Sequence, residues 1–139
     1  MDYKNAPYTL FNSVGILKYS PNYSLRLLID PEISHYYRFF IPKKYLFNRP
    51  KYESHISVVR KVVPVNLSYW GKYEGKEIEF QYDNNIHFGT VYIWLNCFSK
   101  RLEEIRLELG LNIHDEFTEP PQDYKKCFHT TLGNFKINE

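Results

Sequence analysis

Two short stretches of the sequence each place a hydroxyl side chain two residues after a histidine. The pairs are His55 with Ser57 and His129 with Thr131. Apolar residues flank both pairs in the alternating pattern of a β-strand, in which residues i and i+2 point to the same face. Each histidine is therefore predicted to share a face with its hydroxyl partner. Two such strands side by side would surround one concavity with two imidazoles and two hydroxyls.

This set of groups suits the cleavage of a phosphodiester. One histidine can take a proton from the attacking oxygen while the other gives a proton to the leaving oxygen, and the hydroxyls can donate to the non-bridging phosphate oxygens. The ordinary histidine pKa of about 6.5 allows both roles near neutral pH. A single motif of this kind is common by chance and is usually structural. Two copies in predicted strands favour a catalytic site.

The remaining histidines and the cysteines give no sign of a metal site. His35, His87 and His114 are scattered and form no ligand cluster with carboxylates or cysteines. Cys97 and Cys127 lack the short spacing of a metal-binding pair, and we expect both to be reduced thiols. We therefore expect neither a metal nor a cofactor.

The elements that must position the histidines are predicted to be antiparallel strands with two helices, an α+β arrangement. The first helix should follow Asp30 and stop at Pro42, and the second should follow Ser99 and stop at Gly110. A basic, irregular stretch, residues 43–51, precedes the first histidine strand. The predicted strands are 13–19, 24–29, 54–63, a hairpin of 78–82 with 86–97, and 127–135.

Length and charge limit the class of protein. The 139 residues are enough for one domain, 1–139, and the net charge of +2 argues against a long nucleic-acid track while allowing a small anionic ligand. Residues 1–10 lack the apolar region of a signal peptide, and no apolar run approaches the roughly 20 residues of a membrane span. We expect a soluble, cytoplasmic monomer with no membrane partner.

Aromatic residues are unusually frequent, with 13 Tyr, 10 Phe and 2 Trp, which favours a surface that stacks flat ligands such as nucleobases. Strand alternation places Tyr92 and Trp94 on the face away from the core. Trp94 is the preferred base-stacking residue, followed by Trp70 and Tyr19, although core packing explains each about as well. Alternation along the strand of the first motif places Arg60 on the same face as its core-facing residues. Arg60 is therefore predicted to lie outside the concavity that the histidines would surround.

The two motifs, their order and the chain length resemble the two-histidine phosphoesterase superfamily, which includes RNA ligase-like cyclic phosphodiesterases and viral oligoadenylate phosphodiesterases. Several further segments look more specifically like the phage anti-CBASS phosphodiesterases, which degrade cyclic nucleotide messengers of bacterial immunity. These segments are residues 13–15, 48–52, 58–60, 70–75 and 99–104.

The resemblance implies a fold of two pseudo-symmetric lobes whose antiparallel sheets line a central groove, with the helices outside. It also implies that His55, Ser57, His129 and Thr131 are the catalytic residues. Ser57 stands where threonine is common, and because a hydroxyl remains we expect activity to survive. The sequence ends ten residues after His129, which predicts little C-terminal cover over the ligand.

The function implied is a metal-independent phosphodiesterase acting on a cyclic di- or trinucleotide in the cytoplasm of a phage-infected bacterium. A ribose 2′-hydroxyl beside a 3′–5′ linkage would attack the phosphorus and leave a 2′,3′-cyclic phosphate end, while the departing 5′-oxygen takes a proton. Spacing does not assign the base and the acid. Two alternatives stay open: an enzyme acting on 2′,3′-cyclic phosphate RNA ends or 2′–5′ oligoadenylates, and a non-catalytic protein that sequesters a nucleotide.

Overall fold

The computed structural model describes residues 9–113 and 127–136. His114 and most of the segment 1–10, which carry two of the sequence predictions, lie outside this range. In the part described, no helix is long and apolar enough to span a membrane.

Seven strands and two α-helices make up the described residues. A short 3-10 helix, Leu67–Tyr69, also lies in the long connection after the third strand. In chain order the elements are β1 Leu10–Ser20, β2 Ser24–Leu28, α1 Pro31–Arg38, β3 His55–Val59, β4 Glu77–Asp83, β5 His87–Phe88, β6 Tyr92–Phe98, α2 Lys100–Glu108 and β7 Phe128–Asn134.

The capping residues predicted from the sequence begin both helices. Asp30 accepts a hydrogen bond from the backbone N–H of Glu32 at 3.0 Å, and Ser99 accepts one from Leu102 at 3.3 Å. Helix α2 stops before Gly110, whose φ of +80° is favourable only for glycine. Helix α1 ends at Arg38, four residues before the predicted stop at Pro42.

All strand pairings are antiparallel, and the strands form one sheet in the order β4-β1-β2-β3-β7-β6-β5. A further pairing of β4 with β6 closes the sheet into a six-stranded barrel. The α+β class is therefore confirmed, whereas the sheets are not separate as expected. The eleven residues of β1 pair with β4 along one half and with β2 along the other.

The predicted strand 86–97 is wrong, because this stretch folds back on itself as the hairpin of β5 with β6. His87 lies opposite Trp94, and the backbone N–H of Gly89 donates to the carbonyl of Tyr92 at 2.8 Å to close the turn. Across this turn the apolar residues switch from even positions, Ile86 and Phe88, to odd positions, Val91 and Ile93, and a single strand does not account for this switch. Strand β4 instead pairs with β1 along its length and with β6 through the pairs of Gln81 with Phe98 and Tyr82 with Cys97.

Both helices cover the same face of the β3–β7 pair. A larger apolar cluster contains Leu102 and Ile105 of α2 together with Ile56 of β3. A smaller cluster contains Tyr37 of α1 together with Leu132 of β7. Because Ile56 and Leu132 point toward the helices, their neighbours in sequence point to the opposite face, which is where both histidine motifs lie.

Candidate functional site

The structure brings both histidine motifs to one face of two neighbouring strands. Ile56 of β3 lies directly opposite Thr130 of β7, and both side chains are buried on the helix side. The residues that flank this pair point the other way. As a result His55, Ser57, His129 and Thr131 share the opposite face, and each of these side chains is half-buried.

Within this set the two histidines occupy diagonal positions. The register set by Ile56 and Thr130 places His55 beside Thr131 and Ser57 beside His129. Diagonal neighbours in an antiparallel pair typically lie about 7–8 Å apart. This spacing leaves room for one phosphate group between the two imidazoles.

His55 is held in one tautomer by the backbone. Its Nδ1 lies 2.7 Å from the carbonyl oxygen of Glu53, and because a carbonyl can only accept, Nδ1 carries the proton. Nε2 therefore keeps a lone pair. Burial lowers the pKa of His55 below its ordinary value, and the positive charges of Arg26 and Arg60 act in the same direction, against the raising effect of the Glu53 hydrogen bond.

His129 is bonded to an arginine that the sequence analysis placed elsewhere. The Nη2 atom of Arg60 lies 2.9 Å from Nε2 of His129. A guanidinium has no acceptor, so Arg60 donates and Nε2 of His129 carries a lone pair in this arrangement. The prediction that Arg60 lies outside the groove is wrong. Strand β3 ends at Val59 and its pairing with β2 contains a register shift, so strand parity does not extend to residue 60.

Strand β6 forms the wall beside His129. Trp94 lies opposite Thr131 and Asn96 lies opposite His129. The ring centroids of Trp94 and His129 are 6.4 Å apart in an edge-to-face arrangement, so this preferred base-stacking residue lies next to the histidine motif. The indole N–H of Trp94 donates to Oδ1 of Asn96 at 2.9 Å, which fixes the orientation of the amide.

A polar network not anticipated from the sequence continues behind Trp94. Nε2 of His87 lies 3.1 Å from the amide nitrogen of Asn96 and 3.2 Å from Oδ2 of Asp83, a carboxylate with no exposed surface. One ring nitrogen cannot bond both groups: with a lone pair it accepts from Asn96, and with a proton it donates to Asp83. The ring of His87 also stacks on Trp94 at a centroid distance of 5.7 Å.

A cavity of about 240 Å³ opens beside the first motif. His55 and Thr131 line it together with two arginines, Arg38 from the end of α1 and Arg49 from the basic stretch 43–51. Sequence reasoning noted the basic stretch but missed both arginines as site residues. Arg38 lies in no motif, and Arg49 lies in the segment 48–52, which was noted for its resemblance and not for a role. The path of the chain between α1 and β3 brings both to the cavity.

The other aromatic residues singled out from the sequence lie in different surroundings. Tyr19 and Trp70 pack edge-to-face with ring centroids 4.8 Å apart, and both rest against the larger apolar cluster. The Tyr19 oxygen accepts a hydrogen bond from the backbone N–H of Tyr73 at 3.3 Å. Neither lines the cavity beside His55. Tyr92 is exposed at the start of β6, with the Lys136 ammonium 5.1 Å from its ring centroid.

The described residues contain no group of three or more His, Cys, Asp or Glu side chains arranged to hold a metal ion. Cys97 and Cys127 are free and buried, and burial raises the pKa of both thiols. Both cysteines are therefore protonated at neutral pH.

Comparisons of the chain with models of protein families, with curated proteins and with solved structures find no match.

Proposed function

We propose that this protein is a metal-independent phosphodiesterase whose active site is the set of His55, Ser57, His129 and Thr131. The observation that carries the proposal is the pairing of Ile56 with Thr130, which turns both histidine–hydroxyl pairs to one face of adjacent strands. Two imidazoles at diagonal positions, with a hydroxyl beside each, match the proton transfers and the charge stabilisation that phosphodiester cleavage requires.

His55 is proposed to be the general base. Its Nδ1 proton is engaged by the carbonyl of Glu53, so the Nε2 lone pair is the atom available to accept a proton from the attacking hydroxyl. The lowered pKa keeps the ring neutral at physiological pH, which is the state that a base requires.

His129 is proposed to be the general acid, with Arg60 stabilising the phosphate. In the ligand-free arrangement Arg60 donates to Nε2 of His129. The negative charge of a bound phosphodiester attracts the guanidinium of Arg60 and favours the protonated form of the His129 imidazole. His129 then protonates the leaving 5′-oxygen, while Arg60, Ser57 and Thr131 donate to the non-bridging oxygens.

The substrate proposed is a cyclic di- or trinucleotide with 3′–5′ linkages, cleaved by attack of the 2′-hydroxyl to give a 2′,3′-cyclic phosphate end. The position of Trp94 beside His129 supports this, because an aromatic ring there can stack on a base next to the scissile phosphate. The resemblance of the segments outside the two motifs to anti-CBASS phosphodiesterases makes bacterial immune messengers the narrower proposal. The two apolar clusters, one beneath each helix, support the two-lobed two-histidine fold.

The test is mass spectrometry of products from a panel of nucleotides incubated with the protein in EDTA. Cyclic GMP–AMP with 3′–5′ linkages should be consumed, and an analogue lacking the 2′-hydroxyl should persist. His55→Ala and His129→Ala should abolish turnover, whereas His35→Ala, which changes an exposed histidine on α1, should not. Equal consumption of the deoxy analogue would remove the proposed nucleophile, and normal turnover by the double histidine variant would remove the site.

The same panel separates the alternatives. Preferred turnover of RNA ends with 2′,3′-cyclic phosphates or of 2′–5′ oligoadenylates would replace the cyclic substrate while keeping the site. Tight binding with every ligand recovered intact would indicate sequestration without cleavage.

A further inference from the structure

Two arginines from separate parts of the chain meet in the cavity beside His55. Arg38 is the last residue of α1, and Arg49 lies in the stretch that connects α1 with β3. Within residues 9–113 and 127–136 neither guanidinium forms an ion pair, although Glu53 also lines the cavity. Two guanidiniums therefore share one small space with the single carboxylate of Glu53, and neither of them forms an ion pair with it.

Arg38 is only partly satisfied by the surrounding protein. Its Nη1 atom donates to the carbonyl of Leu132 at a long 3.4 Å, and its buried Nε has no hydrogen-bond partner among the described residues. A buried donor without a partner is costly, and a bound anion would supply the acceptor that Nε of Arg38 lacks. Burial, with the nearby charge of Arg49 acting in the same direction, lowers the pKa of Arg38, as expected for a cation held in this position without an anion.

The segment that carries Arg49 is fixed against β7. Asn48 and Asn134 exchange both backbone hydrogen bonds, at 2.8 and 2.9 Å, and the Asn48 side chain donates to the carbonyl of Lys136 at 2.7 Å. Gly133 allows this crossing, because a Cβ at that position would collide with the ring of Phe47 and approach the carbonyl oxygen of Asn48 to 3.1 Å. The backbone next to Arg49 is therefore held in place by these hydrogen bonds.

The arginine pair lies at one end of the site and Arg60 lies at the other. Arg60 bonds His129, whereas Arg38 reaches the carbonyl of Leu132, just beyond Thr131 along β7. A step of two residues along a strand is about 7 Å. The face that carries the histidines is therefore long enough to present positive charge to two neighbouring phosphates, one between the imidazoles and one beside His55.

We propose that Arg38 and Arg49 form a second phosphate subsite, which binds a phosphate of the substrate next to the one that is cleaved. The inference rests on the proposed function and adds a substrate requirement: the nucleotide must carry two phosphates. The second phosphate can be the other diester of a cyclic dinucleotide or the terminal phosphate of a linear one.

The experiment compares three substrates: cyclic diadenylate, linear 5′-phosphorylated diadenylate, and ApA, which has one diester and no terminal phosphate. Arg49→Gln is the main variant because Arg49 is exposed at the cavity rim and its replacement should leave folding intact. Lys51→Gln is the matched control. Lys51 lies two residues after Arg49 and carries the same charge, but its side chain does not line the cavity.

The wild type should cleave both two-phosphate substrates more efficiently than ApA. Arg49→Gln should lower kcat/KM for these two substrates by about tenfold or more, mainly through KM, the effect of losing a charge-assisted hydrogen bond. ApA cleavage by Arg49→Gln should stay within about twofold of wild type, as for a surface substitution that touches no bound group. Arg38→Gln, checked for an unchanged melting temperature, should show the same selective loss.

Three results would overturn the subsite and leave the proposed function standing. An equal loss on ApA would mean that the arginines bind the scissile phosphate, and an unchanged preference in Arg49→Gln, or the same loss in Lys51→Gln, would mean that the pair binds no particular phosphate. A wild type that cleaves neither these three substrates nor cyclic GMP–AMP would instead reject the proposed phosphodiesterase activity. Loss confined to the linear substrate would assign the subsite to a terminal phosphate, and loss confined to the cyclic one to a second diester.

Discussion

Arg60 donates a hydrogen bond to Nε2 of His129 across 2.9 Å, and this contact joins the end of β3 to the start of β7. It places a permanent positive charge against the histidine of the second motif. The same guanidinium also lies close enough to His55 to lower the pKa of that ring. Arg60 therefore contacts one histidine of the proposed site and acts electrostatically on the other.

Replacing Arg60 by methionine is expected to impair cleavage without unfolding the protein. The change keeps an unbranched side chain but removes the donor to His129 and the cation proposed to contact the phosphate. A charge-assisted hydrogen bond is worth about 1.5–3 kcal/mol, so kcat/KM should fall by about 10- to 100-fold. Steady-state cleavage of the cyclic dinucleotide measures this.

Arg101→Met serves as the comparison for Arg60→Met. Arg101 lies on α2, which covers the face opposite the histidines, and it pairs with Glu104 at 3.1 Å. This variant should cleave at the wild-type rate. Activity of Arg60→Met within about twofold of wild type would show that the contact with His129 has no catalytic role.

The lowered pKa of His55 predicts the pH dependence of cleavage. A general base must be neutral, so activity should rise with pH through the pKa of His55, and the acid limb should lie below the ordinary histidine value. Because the charge of Arg26 disfavours the protonated ring, Arg26→Gln should raise this pKa and move the acid limb to higher pH. Profiles of kcat/KM against pH, with NMR titration of the His55 ring, measure both effects.

Lys18→Gln provides the control for this shift. Lys18 pairs with Arg26 across β1 and β2 but is not among the charges that act on His55. Its removal should leave the acid limb in place. An acid limb that does not respond to Arg26→Gln, or that moves to lower pH, would contradict the assignment of His55 as the base.

The sequence was sufficient to predict the histidine face because the rule involved is local. Alternation along a strand fixes which side chains share a face, so His55 with Ser57, and His129 with Thr131, needed only the correct element type. Helix caps are local as well, and Asp30 and Ser99 were identified from their own neighbours.

The features that sequence reasoning missed depend on contacts distant in the chain. Arg60 follows a register shift between β2 and β3, which alternation does not reveal. Arg49 reaches the cavity because Asn48 pairs with Asn134, far along the sequence. The barrel closure likewise depends on pairing β4 with β6 across the hairpin of β5 with β6. The sequence marks the turn of this hairpin by a change in which alternate positions are apolar, between Phe88 and Val91.

Removal of the buried amide behind the site should destabilise the protein. Asn96 has no exposed surface, accepts from the Trp94 indole and lies 3.1 Å from Nε2 of His87. Asn96→Ala leaves both rings without this partner, and we expect a loss of about 1–3 kcal/mol in the free energy of unfolding. Urea denaturation followed by tryptophan fluorescence measures the change.

The matched variant is Asn12→Ala, which removes an exposed asparagine whose side chain bonds Gln81 at 3.0 Å. A surface substitution of this kind should change stability by less than about 0.5 kcal/mol. Equal effects of Asn96→Ala and Asn12→Ala would mean that the Trp94–Asn96–His87 contacts contribute nothing beyond an ordinary surface hydrogen bond.

Gly133→Ala should disturb the contact between β7 and the segment that carries Arg49. A Cβ at this position collides with the ring of Phe47, so the segment beside Asn48 must move away from β7. Overpacking of this kind costs about 1–3 kcal/mol in the free energy of unfolding. Displacement of the segment should also weaken binding at the arginine pair, so kcat/KM should fall more for cyclic diadenylate than for ApA.

A double-mutant cycle separates this collision from a general effect of the alanine. In a Phe47→Ala background the nearest obstacle is gone, and Gly133→Ala should then cost much less than it does alone, because the two positions are in contact and their effects are not additive. Urea denaturation of the four proteins gives the coupling energy. The same cost in both backgrounds would show that glycine at position 133 is not required by the approach of Phe47, and that another constraint fixes the segment carrying Arg49.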